Sequence, residues 1–413
     1  MKTKHLIFFL VLSLLFSCAQ KSAYLFLNES VTDKLDKDEK RIHQMIIKVL
    51  DKMSLDEMAA QMIISYPDKD IIEMGIGGVI LFHHHIHDED SVKKLIQNYN
   101  QWSDIPLLVM LDQEGGQVNP LKNMGRYKRM PSARRMAGWD DSRILQYNRK
   151  LGDYLKGLRI NMVLAPCLDV SSPGSLMHKL QRSFSDQPLV VKRKGGAFAS
   201  GLYNDMIVIG KHFPGYGEAR MNSDISLVHY EINEQQLDEY VDVYKDVSEY
   251  LDGIMMSSII YKNNSVKPAV FSEEFVARAR KILPHGLIIT DDIQARSIRD
   301  FIRKYLKEND LTIENETIVQ SKKSPYCWPF TVSEIKFIVD MAFDAGLTQL
   351  LTLDPLKAIY IKHFIKEKVQ DNPEDLKKLK HNVYLVLRKK IKVYPQYFID
   401  EKFLALKEAT DRE

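Results

Sequence analysis

The sequence predicts an α/β fold, a (β/α)8 barrel of the TIM type forming one main domain. Apolar runs of strand length recur at 77–82, 106–111, 160–165, 206–210, 253–257, 286–290 and 347–353. Segments of helical periodicity separate them, among them 90–102, 142–158, 190–206 and 233–250. Polar, chemically competent side chains stand where the strands end: Asp112, Asp169, the Lys211-His212 pair, Ser257-Ser258 and the Asp291-Asp292 pair. A barrel gathers such strand ends on one face. Seven strands are visible, and the eighth is too weakly patterned to place. The rival doubly wound sheet lacks a Gly-x-Gly-x-x-Gly after any strand.

Along the chain, Lys2 and Lys4 precede an apolar run at 6–16 that is too short for a membrane span and ends in Leu15-Phe16-Ser17-Cys18. Residues 1–17 therefore read as an export signal. The Leu-x-Ser-Cys pattern resembles the lipobox of bacterial lipoproteins, which implies lipidation at Cys18, a membrane anchor and a place in the cell envelope. Polar residues 18–40 read as a tether to a folded domain at 41–413. Ser54-Leu55-Asp56-Glu57 is a capping box opening a helix, followed by apolar 60–64. The charged stretch around 299–331 has weak periodicity and reads as an insertion, a long loop or subdomain beside the site. After Asp354 comes a charged C-terminal helical extension, expected outside the barrel, with the basic runs at 377–380 and 388–392 on outer helix faces.

Composition excludes several classes. With 413 residues, 45% hydrophobic, 27% charged and a net charge of +3, the chain is ordinary for a globular protein and offers no electrostatic case for nucleic acid. A monomer is expected. Beyond Cys18, only Cys167 and Cys327 remain, both in apolar or aromatic company, so buried free thiols are expected rather than a disulfide framework or a thiolate zinc site. His83-His84-His85-Ile86-His87 invites a metal reading, but adjacent residues of an extended chain alternate faces, so few of them can converge on one ion. No metal and no cofactor are expected.

The order and spacing of Lys52-Met53-Ser54-Leu55-Asp56-Glu57, Gly75-Ile76-Gly77-Gly78-Val79-Ile80-Leu81-Phe82, Asp112-Gln113-Glu114-Gly115-Gly116, Ala165-Pro166-Cys167-Leu168-Asp169-Val170, Arg182-Ser183-Phe184 and Lys211-His212-Phe213-Pro214-Gly215-Tyr216-Gly217 carry a resemblance. The chain resembles glycoside hydrolase family 3, and within it the single-domain bacterial β-N-acetylglucosaminidases (β-N-acetylhexosaminidases). The resemblance spans nearly all of residues 50–355. It implies that Asp112, Arg182, Lys211 and His212 grip the sugar and that Asp291 is the carboxylate nucleophile of a retaining hydrolysis. Opposed carboxylates and cations suit a pair of sugar hydroxyls, because hydrogen bonds to ionised groups are the stronger ones.

Departures from the family pattern cluster in the site. The family's acid/base is a His held by an Asp in an Asp-Ser-His motif, which here reads Asn222-Ser223-Asp224. Tyr216 replaces a His, Pro120 an Arg, Gln117 an Arg and Ser258 a His. An ordinary Asp is ionised near neutrality, so Asp224 needs its pKa raised by about two units to act as the acid. His229 is an alternative donor, although it lies past the end of the loop and suits a cap on the next segment.

Two functions stay open. The first is a lipid-anchored glycosidase that removes N-acetylglucosamine from glycans or cell-wall fragments, with Asp291 as nucleophile and Asp224 as acid/base. The second is a catalytically impaired relative that keeps the pocket as a sugar-binding or scaffold lipoprotein.

Overall fold

The computed structural model describes residues 36–262, 264–309, 317–321 and 328–410. The export signal, Cys18, the tether up to residue 35 and Cys327 lie outside the described residues. Before the barrel come α1 (Lys37–Lys52) and α2 (Leu55–Gln61). Asp36 caps α1, so Lys37 and its neighbours up to 40, expected in the tether, already belong to the folded domain. Ser54 and Glu57 close the expected reciprocal capping box on α2.

Eight parallel strands then close into a barrel in sequential order. They are β1 (Ile63–Ser65), β2 (Gly78–Ile80), β3 (Leu108–Leu111), β4 (Met162–Val163), β5 (Ile207–Phe213), β6 (Gly253–Met256), β7 (Leu287–Asp292) and β8 (Gln349–Thr352). Crossover helices follow in turn: α3 (Lys69–Glu73), α4 (Glu89–Gln101), α5 (Asp141–Gly157), α6 (Pro188–Leu202), α7 (Glu234–Val247), α8 (Glu273–Ile282), α9 (Arg296–Glu308), α10 (Val332–Ala345) and α11 (Pro355–Gln370). Their apolar faces and the strands form one continuous core.

The eighth strand is β1. It escapes the sequence because its three residues follow directly on the apolar end of α2, so helix and strand merge into a single apolar run. Pairing on both sides identifies it: Ile63 with Leu350, and Ile64 with Gly78.

Two expectations about the C-terminal half change. Residues 299–308, assigned to an insertion of weak periodicity, belong to α9 (Arg296–Glu308), a regular helix after β7; its strongly charged outer face had obscured the apolar one. Of the rest of that stretch, Ile318–Val319 pairs antiparallel with Phe330–Thr331, and 310–316 and 322–327 lie outside the described residues.

The last long helix, α12 (Pro373–Val393), does not simply coat the barrel. Its basic run turns inward. Lys389 and Lys392 bind the two oxygens of buried Asp252, at 3.1 and 2.6 Å, Lys392 also donates to Met206 O, and the fully buried Lys390 donates to Gln61 Oε1 at 2.7 Å. Asn382 reaches Leu347 O, and Tyr394 reaches Leu107 O. Every one of these partners lies one or two residues before a strand, so α12 closes the N-terminal end of the barrel. The carbonyls and the carboxylate there offer a lysine better partners than an apolar wall could. The C-terminal end is left as the open mouth.

Candidate active site

Strand β3 runs straight into Asp112-Gln113-Glu114-Gly115-Gly116. Buried Gln113 donates to Asn119 Oδ1 at 2.8 Å, and Asn119 donates to Tyr127 O at 2.9 Å, which fixes the loop. Gly115 has a positive φ of 94°, and a Cβ there would stand 2.1 Å from Pro131 O, so only glycine lets the chain turn at that point. The turn aims Glu114 inward.

Glu114 organises a buried ion network. Both its oxygens accept from Arg182, Nε and Nη2 each at 2.8 Å, and Lys211 Nζ lies 2.7 Å away. Lys211 is also hydrogen-bonded to Asp112. The side chains of Glu114 and Lys211 are 3% and 2% exposed, whereas Asp112 keeps 26% of its side chain open to the mouth. Burial alone would raise the Glu114 pKa, but the Arg182 and Lys211 charges outweigh it and hold the carboxyl well below the usual range. Lys211 mirrors this: burial pulls its pKa down, and Asp112 and Glu114 carry it above the ordinary lysine value.

A second carboxylate sets the imidazole. Asp169, fully buried after β4, accepts from His212 Nδ1 at 2.9 Å, from Tyr216 N at 2.8 Å and from Cys167 Sγ at 3.0 Å. Burial opposes its ionisation, yet the His212 charge and these hydrogen bonds leave its pKa lowered. His212 Nε2 is then presented 3.3 Å from Arg182 Nη2. Ligand atoms of Cys167, Asp169 and His212 lie within 4.8 Å of one another, a group that could hold a metal ion. Burial and Asp169 push the Cys167 thiol up, so it serves as a proton donor to Asp169 instead of as a thiolate. Cys167 is thus the expected buried free thiol.

The loop of departures is anchored at two points. Tyr216 OH is hydrogen-bonded to the Oγ of Ser223, which is fully buried. Beyond it, Ser297 N donates to Ser223 O at 3.0 Å and Arg296 N donates to Asp224 O at 3.1 Å. The loop is therefore stitched to the turn that follows Asp291 on β7. Asp224 is exposed to solvent, and partial burial of its carboxyl together with the Asp291 charge raises its pKa.

Asp112, Arg182, Lys211, His212, Asp224 and Asp291 thus meet at one end of the barrel. Glu114 and Asp169 were visible as motif letters, but their part in the site exists only as pairings across separate strands. Asp292 was passed over as the neighbour of Asp291: burial, reinforced by the Asp291 and Asp224 charges, raises its pKa to about 8, so it holds a proton at neutral pH. His229 is not a second donor. It pairs in a short strand with Ile260, its charged neighbours are Lys262 and Lys304, and the helix it was expected to cap is capped by Asn233. The histidine run forms a turn above β2 in which His84 bonds Tyr66 OH at 2.7 Å and its ring stacks parallel to Phe82. Burial lowers the pKa of His85 to about 4, leaving a neutral ring.

The sequence profile of the glycosyl hydrolase family 3 N-terminal domain matches residues 40–312. The chain belongs to glycosyl hydrolase family 3. Among relatives of known name, a β-hexosaminidase of Tolumonas auensis is 28% identical over 226 residues, 53% of this chain and 67% of that protein. A β-hexosaminidase of Pasteurella multocida is 27% identical over 234 residues, 53% of this chain and 64% of that one, so the matched region is about two thirds of each relative's length. The solved β-N-acetylhexosaminidase of Beutenbergia cavernae shares the fold, with a TM-score of 0.69 at 22% identity over 82% of this chain and 98% of that chain. A family 3 β-N-acetylglucosaminidase from Paenibacillus sp. superposes with a TM-score of 0.68 at 20% identity, over 82% of this chain and 63% of that one.

Proposed function

We propose that the protein is a retaining β-N-acetylhexosaminidase that releases N-acetylglucosamine from glycans or cell-wall fragments. The observation that carries this reading is the stitching of the Asp224 loop onto the turn after Asp291, which gives two carboxyls a common mouth beside a buried cationic wall. Arg182, Lys211, His212 and Asp112 bind the sugar hydroxyls. Asp291 attacks the anomeric carbon while the glycosidic bond breaks, and Asp224 gives its proton to the departing oxygen. Once Asp291 is an ester its charge is gone, and the influence that raised the Asp224 pKa goes with it. Asp224 is then a carboxylate able to take a proton from water as that water attacks the ester and frees Asp291 with retained configuration.

A binding protein would need no proton carrier. The departures support a rebuilt acid loop: Tyr216 bonds Ser223, and Asp224 is held where its proton affinity rises. The test is release of phenolate from an aryl β-N-acetylglucosaminide by the purified protein. Asp291→Ala should abolish it, and a wild type that binds N-acetylglucosamine yet cleaves no activated substrate between pH 4 and 9 would leave only the sugar-binding role.

We further propose that the protein is exported and lipid-anchored at Cys18, supported by the Leu15-Phe16-Ser17-Cys18 sequence. A fatty-acid probe should label the wild type and not Cys18→Ser; equal labelling would remove the anchor.

A further inference from the structure

Two carboxyls that share a mouth repel each other when both are ionised, yet a retaining hydrolysis needs them only about 5–5.5 Å apart. The elements that carry them must therefore be restrained. Asp292 N donates to Asp291 Oδ1 at 2.8 Å, and Gln294 N donates to Asp292 Oδ1 at 3.1 Å. A few residues on, Arg296 N and Ser297 N hold the carbonyls of Asp224 and Ser223. Nucleophile and acid loop thus hang on one turn, residues 291–297, and buried Gln294 stands at its centre.

Gln294 is pinned from behind. Its Nε2 donates to Thr352 Oγ1 at 2.9 Å, and its Oε1 accepts from Lys357 Nζ at 2.7 Å. Lys357, on α11, is 2% exposed and lies beyond the residues that the family 3 profile covers. Each N–H donor of its ammonium meets an acceptor: Gln294 Oε1, Trp328 O at 2.6 Å and Asp354 Oδ2 at 3.2 Å. Asp354 is fully buried and caps α11, accepting from Leu356 N at 3.0 Å. One ammonium therefore ties the turn after the nucleophile to the start of a helix. The sugar grip stands apart from it, on β5 and in the loops after β3 and β4.

We propose that Lys357 is a positioning residue: through Gln294 it holds the Asp291 turn and the Asp224 loop at the separation the reaction needs, without touching the substrate. The proposal rests on the reading of these two carboxyls as nucleophile and acid/base. Misplacing reacting groups by about 1 Å costs on the order of 10²-fold in rate, whereas the grip on the sugar does not depend on that separation.

Two variants break the clamp at different points without changing the net charge. Lys357→Met combined with Asp354→Asn removes the buried pair and strands neither charge, and Gln294→Met removes the acceptor. Either one decides if the other does not fold. Rates are expressed per N-acetylglucosamine binding site, titrated by calorimetry, so unfolded protein drops out. An unactivated N-acetylglucosamine disaccharide needs both carboxyls in one transition state, and its kcat should fall about ten- to hundredfold, with a smaller loss on an aryl glycoside. The Kd of N-acetylglucosamine should stay within about twofold of the wild type. An unchanged kcat per site, or a Kd that weakens in step with kcat, overturns the proposal. Should the wild type cleave neither substrate, the hydrolase reading fails separately, and the separation is then read from the carboxyls themselves. Carbon NMR titration should show the Asp224 pKa falling toward the ordinary aspartate range in the variants, as repulsion moves Asp291 away. An Asp224 titration identical to the wild type overturns the proposal.

Discussion

The hydroxyls of Tyr216 and Ser223 are hydrogen-bonded to each other beneath the loop that carries Asp224. Tyr216 also donates its N–H to Asp169, so one residue links the carboxylate behind His212 to the base of the acid loop. Removing the phenol leaves a buried serine hydroxyl unpaired, at a cost of about 1–3 kcal/mol. Tyr216→Phe should lower stability to urea by that amount and slow cleavage of an unactivated disaccharide by about tenfold, with a smaller effect on an aryl glycoside. Equal slowing of both substrates would mean that the loop is not what Tyr216 serves.

Asp224→Asn should cut turnover of the disaccharide by about 10²- to 10⁴-fold, since its leaving oxygen must be protonated. An aryl substrate should still form the glycosyl-enzyme rapidly and then stall, giving a burst of phenolate near one equivalent. Added azide, a nucleophile that needs no general base, should restore steady turnover. No burst and no rescue would place the acid/base elsewhere.

Glu114→Gln should leave Lys211 and Arg182 buried without their shared carboxylate. Breaking a buried pair on one side costs about 3–5 kcal/mol, and binding of N-acetylglucosamine should weaken in parallel. The folded pKa of Glu114 lies well below its unfolded value, so its stabilisation is complete above the unfolded value and is lost only as pH falls through the folded one. The gap between wild type and variant in denaturant unfolding should therefore stay constant from pH 8 to pH 5.

Asp292 works in the opposite sense. Its pKa rises from 3.8 to about 8 on folding, so the folded state keeps a proton that the unfolded chain releases. Its contribution is complete below the unfolded value, declines as pH rises between the two, and is gone above about 8. Wild type should lose thermal stability from pH 5 to pH 8 more steeply than Asp292→Asn. Parallel melting curves for the two would mean that Asp292 is ionised in the folded protein.

Much of this was legible in the chain because barrel strands are buried on both faces and read as apolar runs, and because a polar residue ending such a run has one place to go. Asp112, Lys211, His212 and Asp291 were found that way. Asp169 was too, but its part in the site was not, and Glu114 was missed as a site residue, since the importance of both lies in which cations reach them from other strands. β1 was hidden by the apolar helix in front of it. Lys390 misled for a simpler reason: charge in a helix ordinarily marks the solvent side, and here the end of a barrel provided Gln61 as a partner inside.

The closed end also sets the direction in which the molecule faces. Glu39, in the first turn of α1, pairs with Arg388 at 2.7 Å, one and four residues along α12 from Lys389 and Lys392, the lysines that hold Asp252. The chain thus enters the fold at the sealed floor of the barrel. The lipid anchor proposed at Cys18 would therefore attach on the side of this floor, away from the mouth.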